Sequence, residues 1–173
     1  MRRIQKWGIA LAAITAGTQL NTTEACTRVV YQGKDNTVLT ARSMDWKEDT
    51  RSNLWIFPRG MKRNGEIGKN PLEWTSKYGS VVASAYDICS TDGMNEKGLV
   101  ANLLWLAESE YPQWDGKKPG LSIAAWVQYI LDNFATVDEA VSYVEKGTFE
   151  VVSDMMPDGT SMATLHLSLS CQI

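Results

Sequence analysis

A single histidine, His166, is the most telling scarcity in this chain. A Cys–His pair of the papain kind would have to use it, yet it alternates with Leu165, Leu167 and Leu169 in the manner of a strand. One imidazole and no C-x-x-C spacing also leave nothing from which to build a structural zinc site, so neither metal nor cofactor is expected. Cysteine is sparse as well: Cys26, Cys89 and Cys171 are an odd number, so in an exported chain at least one thiol is free or pairs with another molecule. No apolar run approaches the roughly 20 residues that cross a bilayer, and no membrane span is expected. Positive charge is in the minority, 17 Lys and Arg against 20 Asp and Glu, with no basic patch. That excludes nucleic acid as a partner, because phosphate binding rests on clustered Lys and Arg.

What is present begins at the N-terminus. Arg2, Arg3 and Lys6 precede an apolar run over residues 7–16, and a polar stretch leads from it to small residues before Cys26. This order reads as a signal peptide over residues 1–25 and predicts export to the periplasm or the medium. Cleavage after Ala25 removes three basic side chains and Glu24, leaving 14 basic and 19 acidic side chains, a net of −5. A lipid anchor on Cys26 is the weaker reading, because Thr23, Glu24 and Ala25 form a poor lipobox. With 44% apolar and 21% charged residues and no internal repeat, residues 26–173 read as one globular domain. The sequence leaves open whether that domain forms a homo-oligomer.

Strand-like runs of β-branched and apolar residues cover 27–31, 37–44, 54–57, 80–86, 99–106, 149–152 and 163–169. Gly33, Lys34, Asp35 and Asn36 between the first two mark a hairpin turn. Over residues 122–134 the apolar positions Ile123, Trp126, Val127, Ile130, Leu131 and Phe134 recur at three and four, the spacing of a helix burying one face. A second helix follows, with Thr136 and Glu139 as a capping box and Gly147 at its C-terminal end. Both helices need no explanation beyond core packing. Residues 59–70 read as a solvated loop. Strands, two consecutive helices and strands again predict an α+β fold with helices layered on a mostly antiparallel sheet.

If the hairpin turn is centred between Lys34 and Asp35, Gln32 faces Thr37, Cys26 faces Ser43 and Thr27 faces Arg42. Cross-strand neighbours lie about 5 Å apart, which puts Arg42 within reach of Cys26. Asp45 is three positions beyond Arg42, so on a regular strand it would point to the other face. Either the strand ends near Met44 or a bulge re-aims Asp45. Cleavage at Ala25 would give Cys26 a free α-amine, with an ordinary pKa near 8, able to act as its base. Arg42 would favour the thiolate and Asp45 could hold the amine by a charge-assisted hydrogen bond. Such a trio needs no histidine. Taken alone, Cys26 reads as a buried small residue and Arg42 with Asp45 as a surface ion pair; only their place beside a mature N-terminal cysteine raises them.

These residues carry a resemblance. Cys26-Thr27-Arg28 and Ala41-Arg42-Ser43-Met44-Asp45-Trp46 are similar to segments of the choloylglycine hydrolase family of N-terminal-nucleophile (Ntn) hydrolases. Phe57-Pro58-Arg59-Gly60-Met61 and Asp92-Gly93-Met94-Asn95-Glu96-Lys97-Gly98-Leu99 are similar to others. The resemblance implies a four-layer αββα sandwich, with Cys26, Arg42 and Asp45 catalytic and Met44 and Trp105 against the substrate. Many members place an oxyanion-binding asparagine where Trp105 stands, so here backbone N–H groups would take that part, and Trp105 reads equally as a core aromatic. Members also continue well past the counterpart of Ile173 and supply a further asparagine and arginine. The chain is therefore expected to be a C-terminally truncated member with an incomplete sandwich. The activity implied is hydrolysis of a linear amide between an apolar acyl group and an amine. Glycine- and taurine-conjugated bile salts come first, penicillin V second, and an inactive gene fragment is the reading outside enzymes.

Overall fold

The computed structural model describes residues 26–171. The signal peptide expected over residues 1–25 lies outside the described residues. Eleven strands and two α-helices are found among them. Five strands form one antiparallel sheet: β3 (Leu54–Phe57), β6 (Ser80–Ala85), β7 (Cys89–Asn95), β8 (Val100–Trp105) and β11 (Leu165–Ser170), in the order β11-β8-β7-β6-β3. The hairpin of β1 (Thr27–Gln32) and β2 (Val38–Ser43) lies on one face of this sheet. Helix α1 (Trp126–Asn133) lies on the other, with α2 (Val137–Val144) beside it. The ribbons β4 (Lys62–Asn64) with β5 (Glu73–Thr75) and β9 (Gly120–Ser122) with β10 (Glu150–Val152) complete the chain, the latter pair parallel. Helix, sheet and second sheet are three layers of the expected αββα sandwich.

The core forms where α1 meets the central strands. Val82, Leu99, Ala101 and Leu103 of the sheet side pack with Val127, Ile130 and Leu131 of α1, all essentially without solvent contact. Each such side chain contributes roughly 2 kcal/mol by leaving water. Gly93 makes this approach close enough: a Cβ there would stand 2.6 Å from Leu131 Cδ1 and 2.8 Å from the Val81 carbonyl oxygen.

Five expectations need correction. The hairpin register is one residue off the predicted one: Thr27 faces Ser43, Arg28 faces Arg42 and Gln32 faces Val38. The connection is not a two-residue turn. Residues 34–36 form a 3-10 turn in which Asp35 and Asn36 adopt left-handed φ of 58° and 59°. Strand β7, the middle of the sheet, was not predicted, because Asp92-Gly93 and Asn95 read as turn formers. Asn95 is in fact a buried clamp, and Gly93 a close-packing site. The stretch 59–70 is not all loop, since β4 lies within it. Finally, α1 buries more than one face: residues 127–132 are all buried, with Gln128 and Asp132 turned toward Ser80 and the β4–β5 ribbon. Burial raises the Asp132 carboxyl above its ordinary range, against hydrogen bonds from Trp74 and Gln128 and the charge of Arg63.

The second helix keeps its predicted cap: Thr136 Oγ1 accepts from Glu139 N at 3.2 Å, and the Glu139 carboxylate takes the Ala135 N–H in return. Asn95 ties the β7–β8 turn to the end of α1. Its Oδ1 accepts from the Lys97 and Leu99 amides, and its Nδ2 donates to the carbonyls of Leu131 and Phe134 at 2.8 and 2.7 Å. Removing a side chain that is 2% exposed would orphan all four backbone groups. Asn95→Ala should therefore cost about 3 kcal/mol of folding free energy, read as a lower urea midpoint at unchanged slope. A loss below about 1 kcal/mol would show that water replaces the clamp.

Candidate active site

The observed register decides which face Cys26 shares. Partners across a hairpin point the same way, so the predicted pairing of Arg42 with Thr27 would have turned Arg42 away from Cys26. With Arg42 opposite Arg28, the even-numbered side chains Arg28, Thr40 and Arg42 face the large sheet, and Arg42 Nη1 stands 3.7 Å from Cys26 Sγ. Arg42 is fixed on every nitrogen. Nε donates to Asp92 Oδ1 at 2.6 Å, Nη1 also to the Ser43 carbonyl at 3.3 Å, and Nη2 to the Leu103 carbonyl. Its side chain is 8% exposed and that of Asp92 20%.

Strand β2 ends at Ser43, so the first of the two ways of re-aiming Asp45 holds. Asp45 is exposed, and Ser43 Oγ donates to its Oδ2 at 2.9 Å while accepting from the Thr27 amide at 3.4 Å. A bulge does occur, but in β7. Ala83 pairs with Asp92 and Ser84 with Ser90, leaving Thr91 as the extra residue, its hydroxyl bonded to the Ala83 carbonyl. Such bulges gather beside functional sites.

Cys26 opens into a cavity of about 240 Å³. Met44, Trp46 and Trp105 form an apolar wall, with Met155 and Met156 beyond β10 opposite, so all five predicted site residues line this space. The rings of Trp46 and Trp105 meet at 4.9 Å and 52°. Trp46 Nε1 donates to the Tyr86 hydroxyl, which donates to Glu48, and burial with that carboxylate raises the phenol above its usual range. Lys47 pairs with Asp158 at 2.6 Å, joining the segment after β2 to the loop that carries the two methionines. Its ammonium, with hydrogen bonds from Thr160, pulls the Asp158 carboxyl down to about 2. His166 is not among the residues lining the cavity. Among the described residues no cluster of His, Cys, Asp and Glu could hold a metal ion, and no helix is long and apolar enough to cross a membrane.

Sequence reasoning missed Asp92, Asn102 and Arg28 as members of the site. Asp92 was masked by its Asp-Gly setting. Asn102 had a legible signal: a lone amide in the run Val100–Trp105, which a buried strand tolerates only when the amide is paired.

Comparison with known proteins agrees with this geometry. The linear amide C–N hydrolases of the choloylglycine hydrolase family match residues 26–172. A penicillin V acylase of Pectobacterium atrosepticum is 56% identical over 171 residues, which is 94% of this chain and 45% of that protein. The structure of penicillin V acylase from Agrobacterium tumefaciens superposes with a TM-score of 0.77 at 63% identity, covering 84% of this chain and 43% of the other. A conjugated bile acid hydrolase from Clostridium perfringens superposes with a TM-score of 0.67 at 25% identity, over 83% and 44%. The chain thus spans less than half the length of these relatives, and the layers described above are part of the Ntn-hydrolase sandwich. On a match that begins at Cys26 and runs through the described fold, this chain belongs to the choloylglycine hydrolase family of linear amide C–N hydrolases.

Proposed function

We propose that this chain is the nucleophile-bearing part of an exported amidohydrolase that cleaves penicillin V, with Cys26 at its mature N-terminus. The observation that carries the reading is Arg42 Nη1 at 3.7 Å from Cys26 Sγ, at the edge of a cavity walled by Met44, Trp46 and Trp105. Identities of 56% and 63% to penicillin V acylases, against 25% to a conjugated bile acid hydrolase, support penicillin V over bile salts. This reverses the order drawn from the sequence. Removal of residues 1–25 and export rest on the signal-peptide pattern that precedes Cys26.

In this reading the freed α-amine of Cys26 takes the thiol proton, and Sγ attacks the amide carbonyl. The tetrahedral oxyanion then collapses to a thioester, and the amine leaves with the proton held by the α-ammonium. Water, activated by the same amine, releases the acid. Arg42 steadies the charge on sulfur, and Asp45, braced by Ser43 and lining the same cavity, would hold the α-ammonium. The two tryptophans offer faces to the phenoxyacetyl group.

The remaining thiols separate a live site from an inert one. Burial pushes Cys89 up to about 12, the carboxylates of Glu66 and Asp92 adding to the effect and Arg42 opposing it. At pH 8 only about one Cys89 in 10⁴ would be thiolate. Since the unfolded thiol ionises first, this residue withdraws stability from the folded chain as pH rises from about 9 toward 12. Alkylation followed by peptide mass analysis should spare Cys89 and label Cys26 faster than an ordinary cysteine; a Cys26 that reacts no faster would argue for an inactive remnant.

N-terminal sequencing of the exported protein should begin at Cys26, and a mass increase on that residue would instead reveal a lipid anchor. With the processed protein, kcat/KM for penicillin V should exceed that for taurocholate by at least about tenfold, ~1.4 kcal/mol in the transition state. Cys26→Ala should abolish both. Cleavage of taurocholate alone would reject the assignment.

A further inference from the structure

Arg28 and Arg42 are direct cross-strand partners. Two guanidinium groups leave the same face side by side, an arrangement that destabilises an antiparallel pair unless an anion lies against it. One carboxylate answers both. Asp92 Oδ1 accepts from Arg42 Nε at 2.6 Å and from Asn102 Nδ2 at 2.8 Å, and Asn102 Oδ1 accepts from Arg28 Nε at 2.7 Å. Arg28 Nη2 donates to Ser170 Oγ at 2.7 Å, and that hydroxyl shares a bond of 2.8 Å with Thr40 Oγ1. An unbroken chain of hydrogen bonds therefore runs from the sheet edge at Ser170 to the sulfur of Cys26. It holds two positive charges and one negative. If Asp92 offsets Arg42, the charge of Arg28 is left over.

We propose that Arg28 is a positioning residue for the nucleophile: through Asn102 and Asp92 it holds the Arg42 guanidinium beside Cys26, and its surplus charge favours the thiolate there. The inference rests on the reading of Cys26 as nucleophile. Arg28 lies two residues from Cys26, about 7 Å along an extended chain, so its charge acts at close range. Burial disfavours its charged form and the nearby Asp92 favours it. The other groups lining the cavity strengthen the case. Asp45, Glu66 and Asp154 are acidic, Tyr86 and Cys89 are neutral, and Arg42 is the one cation among them. Three carboxylates oppose a thiolate whose supports, besides Arg28, are the α-ammonium of Cys26 itself and Arg42, which is already paired with Asp92.

The test uses the processed chain carrying Arg28→Gln, Arg28→Met or Arg28→Lys. Each is alkylated with iodoacetamide at pH 6 and pH 9, and labelling at Cys26 is followed by peptide mass. The ratio of the pH 6 rate to the pH 9 rate should fall about tenfold in the Gln and Met variants. It should stay within about twofold of the parent in Arg28→Lys, which keeps the charge and loses the fork. A purely structural role leaves the ratio unchanged, so a parental ratio in either folded neutral variant overturns the proposal. If neither neutral variant folds, Arg28 is required for the fold rather than for the thiolate, and the proposal is overturned. A parent chain whose ratio equals that of free cysteine defeats the nucleophile reading and this inference with it. That result is distinct from a parent that reacts readily at pH 6 with indifferent variants.

Discussion

The ion pair between Arg42 and Asp92 is the contact on which the site rests. It joins the hairpin to the large sheet, and it aims the guanidinium that reaches Cys26. Breaking a pair this enclosed by removing one partner costs about 3–5 kcal/mol, because the other charge is stranded. The polar residues Arg28, Thr40 and Arg42 on its inner face, beside Val30 and Val38, make the hydrogen bonds that tie the hairpin to the large sheet. The two sheets therefore meet through hydrogen bonds, while the sheet and α1 meet through leucine, isoleucine and valine. Stability is concentrated on one side of the large sheet, and chemistry on the other.

Three of the hairpin's apolar side chains point outward. Val29, Tyr31 and Leu39 are 57%, 62% and 60% exposed, and Leu54, Ile56, Val81 and Met94 are exposed on the large sheet. Apolar residues standing this far into water mark surfaces that other structure covers. The first three stand on the hairpin's outer face, and the other four on the face of the large sheet that Asp92 turns to the hairpin. The β-branched and apolar run that predicted β1 and β2 thus found the strands and was silent about which side was inside.

Much of the fold was legible because it depends on local patterns. The α1 stripe, the Thr136–Glu139 cap and the strands at 54–57 and 80–86 emerged close to where the pattern put them. Cys26, Arg42, Met44, Asp45 and Trp105 also meet around one cavity. What sequence could not supply was whatever a distant partner decides. Gly93 sits in a strand because Leu131 leaves no room for a Cβ, and Asn95 is buried because two carbonyls of α1 wait for its amide. Asp92 belongs to the site only because Arg42 crosses from another sheet to meet it. Local propensity marks all three as turn residues.

The five residues joining β1 to β2 have a consequence beyond their own conformation. They close the hairpin on the pair Gln32 and Val38, which is what brings Arg42 and Cys26 out on one side; closure on Gln32 and Thr37 would send Arg42 outward to stand among Val29 and Tyr31. A slip of one residue in that closing pair would turn the guanidinium from the sulfur without touching any residue of the site.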